Sequence, residues 1–322
     1  MVSFLYSQLF VTPRYPTKSF DGQTVIVTGS NTGLGKEAAR HFVRLGASKV
    51  IIAVRNTTAG EAAKQDIEKT THCNPDVLEV WSLDLSSYES VKAFAERAKK
   101  NLSRLDVLLN NAGIATSKYE LAEGHERTIT VNVISTFLLS LLLLPQLEAT
   151  ARDHNTNTHL IIVSSEVHAW AKFPEWKAPN TLATLSNRET ANMDERYQAS
   201  KLLEVLACRA LAPKLAGKGV ILNYVNPGLC HSELSRDGPF FLHILKFFLA
   251  RSTEVGSRTL VSAAEAGPES HGKYIYDCEP NDNALSPFVK SEDGKKAAEK
   301  IWKELAEILD QIQPGISSES LK

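Results

Sequence analysis

Short apolar runs alternate with longer amphipathic segments along most of the chain. The short runs are rich in β-branched residues, as is typical of buried strands, and cover residues 24–28, 49–54, 77–83, 105–109, 159–163, 220–225 and 273–276. The amphipathic segments predict helices, among them residues 61–69, 90–100, 121–144 and 293–312. Alternating strands and helices predict a parallel sheet covered on both faces. We therefore expect a single α/β domain with one doubly wound sheet.

The first strand runs directly into a glycine-rich turn, and an amphipathic helix follows. Glycines let a backbone approach a pyrophosphate, and a helix N-terminus offers free N–H groups and a positive dipole end. The spacing, Gly-x-x-x-Gly-x-Gly, differs from the commonest fingerprint, Gly-x-Gly-x-x-Gly. The order of strand, turn and helix nevertheless predicts a Rossmann-type dinucleotide site, with candidate phosphate contacts at Gly29, Asn31, Thr32, Gly33, Leu34, Gly35 and Lys36.

The second strand ends in Ala53-Val54-Arg55-Asn56, without an acidic residue. An enzyme that binds NAD usually has an acid here, which accepts a hydrogen bond from the ribose 2′-hydroxyl, whereas an arginine suits a 2′-phosphate. Arg55 therefore favours NADP (NADPH) as the cofactor, and Lys36 offers a second positive charge. The alternative is an ordinary exposed surface arginine.

Polar residues also follow three further predicted strands. Asp84 comes after the third strand, Asn111 after the fourth and Ser165 after the fifth. Ligands of such sheets bind at the carboxyl ends of the strands. The sequence therefore predicts that these residues lie at the same edge as the glycine-rich turn.

Tyr197 and Lys201 are four residues apart on a predicted helix, so they share one face. A free tyrosine titrates near pH ~10, and a nearby ammonium favours the phenolate. A lysine at this position therefore brings a tyrosine toward general acid/base chemistry at working pH. Read alone, the pair is more often just two side chains on a solvated helix.

Asn132 lies among apolar residues in the predicted helix 121–144. A buried amide must find hydrogen-bond partners. Asn132 is therefore either a satisfied core amide or a residue that holds a water in a proton path.

Charge and cysteine content exclude several classes of function. Lysine plus arginine (36) nearly balances aspartate plus glutamate (37), for a net charge of −1, which argues against a nucleic-acid-binding protein. The four cysteines, Cys73, Cys208, Cys230 and Cys278, are scattered. We therefore expect no metal site and no disulfide framework, and a reducing, cytoplasmic location.

Neither apolar run is predicted to span a membrane, and residues 1–20 do not resemble a signal peptide. The run at residues 137–144 is too short for a bilayer and ends at Pro145. A second run, residues 239–250, is interrupted by His243 and Lys246. It suits a substrate lid, a dimer contact or a weak contact with a membrane surface.

Seven motifs in this order resemble the short-chain dehydrogenase/reductase superfamily over residues 20–280. They are TGSNTGLG (28–35), LDL (83–85), NNAG (110–113), Asn132, SS (164–165), YQASK (197–201) and NPG (226–228). The long gap between Ser165 and Tyr197, the sequence VSSEVHAW and the N-terminal extension resemble the retinol dehydrogenase-like branch. The opening residues are most similar to fungal members that act in secondary metabolism.

The resemblance implies a role for each matching residue. Tyr197 would be the general acid/base, Lys201 would lower its pKa and bind the nicotinamide ribose, Ser165 would bind the substrate oxygen, and Asn132 would complete a proton relay. Further cofactor contacts would come from Asp84, Leu85, Asn111, Ala112, Gly113, Pro227, Gly228, Leu229 and Ser232. The implied function is an NADP(H)-dependent oxidoreductase that reduces a ketone or aldehyde, or oxidises the matching alcohol.

Aromatic residues in two segments predict a bulky apolar substrate. The variable segments, residues 166–196 and 229–250, contain Trp170, Phe173, Trp176, Phe240, Phe241, Leu242 and Phe247. These side chains line a substrate pocket or simply pack a lid or a dimer face. Alternative functions are a dinucleotide sensor and a protein that binds cofactor but catalyses a non-redox step.

The expected organisation is an N-terminal extension (1–19), a cofactor-binding domain (20–312) and a flexible tail (313–322). By resemblance, a homodimer or homotetramer would form through the helices that carry Asn132 and Tyr197.

Overall fold

The computed structural model describes residues 2–231 and 249–321. Within them, eight strands form one sheet. They are β1 (Thr24–Thr28), β2 (Lys49–Val54), β3 (Leu78–Ser82), β4 (Val107–Asn110), β5 (Thr158–Val163), β6 (Val220–Asn226), β7 (Lys273–Tyr276) and β8 (Glu279–Pro280). Their order is β8-β7-β6-β5-β4-β1-β2-β3, and only the β7–β8 pair is antiparallel. The predicted α/β fold with a doubly wound sheet is confirmed.

Helices cover both faces of the sheet. They are α1 (Val2–Phe10), α2 (Gly33–Arg44), α3 (Thr57–Thr71), α4 (Tyr88–Asn101), α5 (Arg127–Asp153), α6 (Thr181–Ser186), α7 (Arg196–Leu211), α8 (Thr253–Glu265), α9 (Pro287–Lys290), α10 (Glu292–Ile312) and α11 (Ile316–Glu319). Because successive strand residues point to opposite faces, Ile26 joins the core with α4, α5, α7 and α10, while Val25 and Val27 join the core with α2 and α8.

The order in which the chain adds strands to the sheet reverses between the neighbouring parallel strands β1 and β4. Val25 pairs with Val50 on one side and with Val107 on the other. A reversal of this kind leaves a crevice at the carboxyl ends of the strands, where ligands of open α/β sheets bind. The fold thus puts the glycine-rich turn after β1 beside the crevice.

The helix predicted for residues 121–144 has different ends in the structure. Leu121–Ala122 pairs antiparallel with His125–Glu126, joined by a turn in which Glu123 (φ 54°) and Gly124 (φ 82°) are both left-handed. Two positive φ angles define a tight hairpin turn, so α5 begins only at Arg127. It then continues past Pro145, which is exposed, to Asp153.

Helix α5 is long and apolar enough to cross a membrane by length and composition, and 94% of its most apolar window is buried in the domain. Burial in the core accounts for this apolar character, since a helix that is hydrophobic all round packs in an interior as well as in a bilayer.

The helices that carry Asn132 and Tyr197 leave little surface for a second copy. Residues 128–144 of α5 are all buried, and no residue of α7 is fully exposed. Ile301 and Leu305 of α10 share the core with the leucines of α7. The chain's own C-terminal helix thus covers part of the face through which association was expected, and the homodimer or homotetramer stays a prediction.

Both ends of the described chain pack onto the domain. In α1, the Ser7 hydroxyl donates to Asp277 Oδ2 (2.6 Å). The C-terminal segment, predicted to be a flexible tail, contains α11 with Ile316 buried. The Ser320 hydroxyl donates to the Leu141 carbonyl at 3.0 Å. Burial of Ile316 and this hydrogen bond place the tail against the domain, and its flexibility stays a prediction.

Candidate active site

The glycine turn after β1 is in direct contact with the end of β4. Gly29 is left-handed (φ 63°), and a Cβ there would lie 2.9 Å from the Ala112 Cα. A Cβ on Gly35 would lie 2.5 Å from Asn111 Nδ2 and 2.6 Å from the Gly29 carbonyl oxygen. Since a normal Cβ cannot approach backbone so closely, these two positions require glycine for packing.

The N-terminus of α2 is open to a ligand. Thr32 occupies its N-cap position without a side-chain hydrogen bond, whereas Asn56 caps α3 and Ser87 caps α4. A Cβ on Gly33, which is left-handed (φ 60°), would meet nothing within 4 Å. Uncapped N–H groups, a helix dipole and free space fit the phosphates of a dinucleotide. Asn31 and Leu34 are both half-buried in this turn.

Arg55 and Lys36 differ in how free their charges are. Arg55 is exposed at the end of β2, and it pairs with no carboxylate in the described part of the chain. The Lys36 ammonium lies 2.9 Å from Asp66 Oδ2, which also binds Arg40 at 2.6 Å. Hydrogen bonds from Arg40 and Lys36 lower the pKa of Asp66 to about 2. Arg55 therefore carries the unpaired charge that suits a 2′-phosphate, and Lys36 is already engaged.

Two polar side chains predicted to contact the cofactor also hold the strand ends together. The Asn111 amide donates to the Thr28 carbonyl (2.9 Å) and to the Gly29 carbonyl (3.2 Å). Asp84 Oδ1 accepts from the backbone N–H (2.9 Å) and the hydroxyl (2.6 Å) of Ser86. Leu85 is buried. These groups lie at the edge of the crevice, and their contacts with the ribose and adenine of a cofactor stay a prediction.

Asn132 joins the end of β4 to the tyrosine helix. Its Oδ1 accepts from the Ile114 N–H at 2.8 Å, and its Nδ2 donates to the Ile114 carbonyl at 2.9 Å and to the Ser200 hydroxyl at 3.0 Å. It lies in a π-helical turn, Thr130–Ile134, a feature often found at functional sites. The core amide predicted as one alternative is satisfied, while the relay role stays a prediction.

Gly113 separates Asn132 from Lys201. A Cβ on Gly113 would lie 3.3 Å from Asn132 Oδ1 and 3.7 Å from Lys201 Nζ. The predicted relay residue and the predicted lysine therefore face the same narrow space beside β4.

Tyr197 and Lys201 share the face of α7 that looks toward β5. The Lys201 Nζ lies 5.7 Å from the centroid of the Tyr197 ring. Lys201 is buried, and its Nζ donates to the Val163 carbonyl and to Glu204 Oε1, both at 2.8 Å. The ammonium is thus anchored at the end of β5, one helical turn from the phenol.

Burial and charge act in opposite directions on the tyrosine. Burial raises the pKa of Tyr197 above its usual value, while the Lys201 charge and a hydrogen bond with Ser165 lower it. The lysine therefore has the predicted sign of effect, but burial outweighs it.

Ser165 lies between β5 and a short 3-10 helix, Glu166–Trp170. Its hydroxyl accepts from the Val167 N–H at 3.3 Å, and it lies close enough to Tyr197 to lower the pKa of that phenol. Hydroxyls from two different elements therefore lie near each other, and a substrate oxygen between them can contact both.

The loop after β6 is fixed from both sides. Asn226 Oδ1 accepts from the Gly228 N–H (3.1 Å) and the Glu166 N–H (3.2 Å). Gln8 of α1 accepts from the Leu229 N–H (3.1 Å) and donates to the Leu229 carbonyl (3.0 Å). The predicted carboxamide contacts Pro227, Gly228 and Leu229 thus form an ordered loop at the same edge. Ser232 lies outside the described residues.

Two side chains near the site were not identified from the sequence. Glu204 was detectable, because a carboxylate stands alone among Leu202, Leu203, Val205 and Leu206. Gln8 carries no local signal, since 221 residues separate it from Leu229.

The aromatic residues of the segment 166–196 have different surroundings. Phe173 is buried, and both Phe173 and Trp176 pack on Phe288, with ring centroids 6.5 and 5.8 Å apart. Trp170 is 55% exposed and contacts Phe4 of α1. Phe173 and Trp176 therefore pack against the domain, which was the alternative to a substrate pocket, and Trp170 is the most exposed of the three. The structure does not describe the other residues of the predicted substrate pocket, which are Phe240, Phe241, Leu242 and Phe247.

Comparison with known proteins agrees with this architecture. The family model for short chain dehydrogenases matches residues 23–177. The chain is 51% identical over 324 residues to the short chain dehydrogenase/reductase dmxR8 of Cryptosporiopsis sp., covering 98% of this chain and 99% of that one. It is 47% identical over 325 residues to the short-chain dehydrogenase anuD of Penicillium roqueforti, covering 98% of this chain and 84% of that one.

Solved structures share the fold at lower identity. The RhlG/NADP active-site complex of Pseudomonas aeruginosa has a TM-score of 0.60 at 22% identity, over 81% of this chain and 97% of that one. The 3-ketoacyl-(acyl-carrier-protein) reductase of Brucella melitensis complexed with NADH has a TM-score of 0.59 at 22% identity, over 80% of this chain and 97% of that one. At this identity they show the fold alone.

The chain belongs to the short-chain dehydrogenase/reductase family. It is an oxidoreductase of this family, whose fold implies a nicotinamide dinucleotide cofactor. The two relatives are fungal, as the resemblance implied. Likeness to the retinol dehydrogenase-like branch stays a prediction.

Proposed function

We propose that the protein is an NADP(H)-dependent oxidoreductase that reduces a ketone or aldehyde on a bulky apolar substrate, or oxidises the matching alcohol. The observation that carries the proposal is the meeting of Tyr197, Ser165 and Lys201 at the strand edge beside the open N-terminus of α2. This constellation places an acid, a hydrogen-bond donor and a cation around one point.

In the reductive direction, Tyr197 gives its phenolic proton to the carbonyl oxygen, and Ser165 donates a hydrogen bond to the same oxygen and stabilises its developing charge. When bound, the nicotinamide supplies the hydride to the carbonyl carbon, or accepts it in the reverse direction. Lys201 stabilises the phenolate that remains. Asn132 links the segment after β4 to α7, the helix that carries Lys201, through its hydrogen bonds with Ile114 and Ser200.

Replacement of Tyr197 by Phe tests the chemical part of the proposal. The variant keeps the aromatic ring at this position of α7 but loses the hydroxyl that donates the proton. We therefore expect turnover to fall by about 10²–10⁴-fold, with NADPH affinity largely retained. NADPH consumption is followed across a panel of bulky ketones, aldehydes and quinones. Wild-type turnover by Tyr197→Phe would show that another group moves the proton.

The same panel separates an enzyme from the alternative functions. A dinucleotide sensor, or a protein that catalyses a non-redox step, would bind NADPH but consume none with any carbonyl offered. The intact Ser165, Tyr197 and Lys201 argue for redox chemistry.

The proposed preference for NADP rests on Arg55, which is exposed and unpaired among the described residues. Arg55→Asp should raise the KM for NADPH far more than the KM for NADH, because only NADPH carries the 2′-phosphate. Lys69→Asp, a charge reversal at an exposed position of α3, is the matched control. Equal effects of Arg55→Asp on both cofactors would refute the preference.

Two observations support a bulky apolar substrate and a role in secondary metabolism. Trp170 presents an exposed indole next to Phe4, close in sequence to Ser165. The relatives described above are fungal short-chain dehydrogenases. The substrate panel tests the first point, since small aliphatic ketones should be turned over less efficiently than polycyclic ones. A cytoplasmic location is part of the same proposal.

A further inference from the structure

Glu204 is a carboxylate in an otherwise apolar part of α7. It is 2% exposed, and its neighbours Leu203 and Val205 are fully buried. A buried carboxylate is costly to keep, and well-packed apolar residues are often as stable in its place. Its position therefore calls for an explanation beyond packing.

Tyr197, Lys201 and Glu204 occupy positions i, i+4 and i+7 of one helix, so they share one face. Glu204 Oε1 accepts from Lys201 Nζ at 2.8 Å, and the same Nζ donates to the Val163 carbonyl at 2.8 Å. Glu204 and the Val163 carbonyl thus hold the ammonium together at the end of β5.

We propose that Glu204 is a positioning residue that holds the Lys201 ammonium at the end of β5 and, by offsetting its charge, sets the pH at which the Tyr197–Lys201 pair loses its first proton. The proposal rests on the proposed function, because it assigns a regulator to the same acid/base pair. No proton passes through Glu204 in this role.

The pKa values of the three groups agree in direction with this geometry. Burial raises the pKa of Glu204 to about 7, while Lys201 and a hydrogen bond with Ser164 lower it. Burial lowers the pKa of Lys201, but Glu204 and Tyr197 together outweigh burial, so that the pKa of Lys201 is raised. On Tyr197, burial and the Glu204 charge raise the pKa, and the Lys201 charge lowers it.

Several other titratable groups lie around α7, but the charges that shift the pKa of Tyr197 are those of Lys201 and Glu204. These groups are Arg196, Cys208 and Arg209 on α7, Glu126 and Arg127 at the start of α5, Glu166 and His168 after β5, Lys214 after α7, Tyr224 on β6, and Lys300 and Glu304 on α10. Burial raises the pKa of Cys208 and lowers that of His168, so both are neutral near pH 7. Glu126 pairs with Arg196 at 3.3 Å.

Glu204→Gln keeps the shape and an acceptor for Lys201 but removes the negative charge. The positive charge of Lys201 then acts on Tyr197 without compensation, so the pair should lose its first proton at lower pH. The pair titrates as a unit, so the measured pKa belongs to both residues. We expect the acidic limb of kcat/KM for alcohol oxidation to move down by at least about one pH unit, with the Kd for NADP unchanged.

The experiment measures this pH profile in the full-length protein for wild type, Glu204→Gln, Glu204→Asp and Glu126→Gln. Glu204→Asp shortens the side chain by one methylene and moves the carboxylate away from Lys201. Its acidic limb should therefore lie between those of wild type and Glu204→Gln. Glu126→Gln also removes a buried carboxylate that pairs with a cation of α7, and it should cost stability without moving the limb.

A limb that stays at the wild-type pH in folded Glu204→Gln overturns the proposal. If Glu204→Gln does not fold, Glu204→Asp decides, because an unmoved limb in that variant also overturns it. Failure of the proposed function is a separate result, namely an active Tyr197→Phe. An inactive Tyr197→Phe together with an unmoved limb refutes the role of Glu204 alone.

Discussion

The cofactor side of the strand edge, from Gly29 to Gly113, is held together by contacts between the ends of neighbouring strands, whereas the substrate side, residues 166–196, is held by side chains from the C-terminal helices. On the cofactor side, the Asn111 amide donates to the carbonyls of Thr28 and Gly29. On the substrate side, Glu304 Oε1 accepts from the Thr181 N–H and Glu304 Oε2 accepts from the Leu182 N–H, both at 3.0 Å.

The contacts of the substrate side also join more distant residues than the 83 residues between Thr28 and Asn111. Glu304 lies 123 residues from Thr181, and Lys300, which donates to the Trp176 carbonyl at 3.0 Å, lies 124 residues away. The glycine turn, in contrast, is complete within seven residues, 29–35. We infer that the cofactor site tolerates change in the substrate segment, and that the substrate segment depends on α10.

The largest effect is expected where the backbone contact is closest. In Gly35→Ala the new Cβ would overlap the Gly29 carbonyl and the Asn111 amide, neither of which can move without opening the turn. We expect the Kd for NADPH to rise by at least about tenfold, or about 1.4 kcal/mol, measured by calorimetric titration. Gly217→Ala, at an open left-handed turn elsewhere, is the control. Equal NADPH affinity in Gly35→Ala and wild type would show that the contact is not needed.

The substrate side is tested through Glu304, which accepts hydrogen bonds from Thr181 and Leu182. Glu304→Gln removes the charge at the N-terminus of α6 and one of its two acceptors, which should cost about 1–3 kcal/mol, measured by urea unfolding. The KM for the carbonyl substrate should rise more than the Kd for NADPH. Glu307→Gln, at an exposed position of the same helix, should change neither. A rise confined to the NADPH Kd would contradict the division into two regions.

The smallest effect on either site is expected from a change in the sheet that both regions share, where the change acts on global stability. His159 of β5 is buried, and burial lowers its pKa to about 3, below the value of about 6.5 for an unfolded chain. The unfolded chain therefore binds the proton more readily, and stability falls as the pH drops through 6.5 and continues to fall until about pH 3. Between pH 7.5 and 5 this amounts to about 2 kcal/mol.

His159→Gln should remove this part of the pH dependence of unfolding, whereas His154→Gln, at an exposed position, should leave it in place. Because β5 lies beside β4 and β6, the loss should appear in global unfolding and not in either site alone. An identical pH dependence in His159→Gln and wild type would contradict the assignment.

Much of the fold follows from the sequence. The bounds of β1, β2 and β7 agree with their apolar runs, because a short β-branched run between turn residues has few other stable arrangements. The helix around Asn132 was less predictable. Glu123-Gly124 forms a hairpin turn that delays its start to Arg127, and Pro145 is accommodated inside it.

The residues of the candidate site divide in the same way. The identities of Gly29, Gly35, Tyr197 and Lys201 could be read from the sequence, because each depends on spacing within one turn or one helix. The tertiary structure alone decided that Glu304 supports the substrate segment, that α10 covers α7, and that Lys36 is paired with Asp66 while Arg55 is exposed. These contacts join residues distant in the chain, and their free energy comes from burial and pairing that exist only after the sheet has formed.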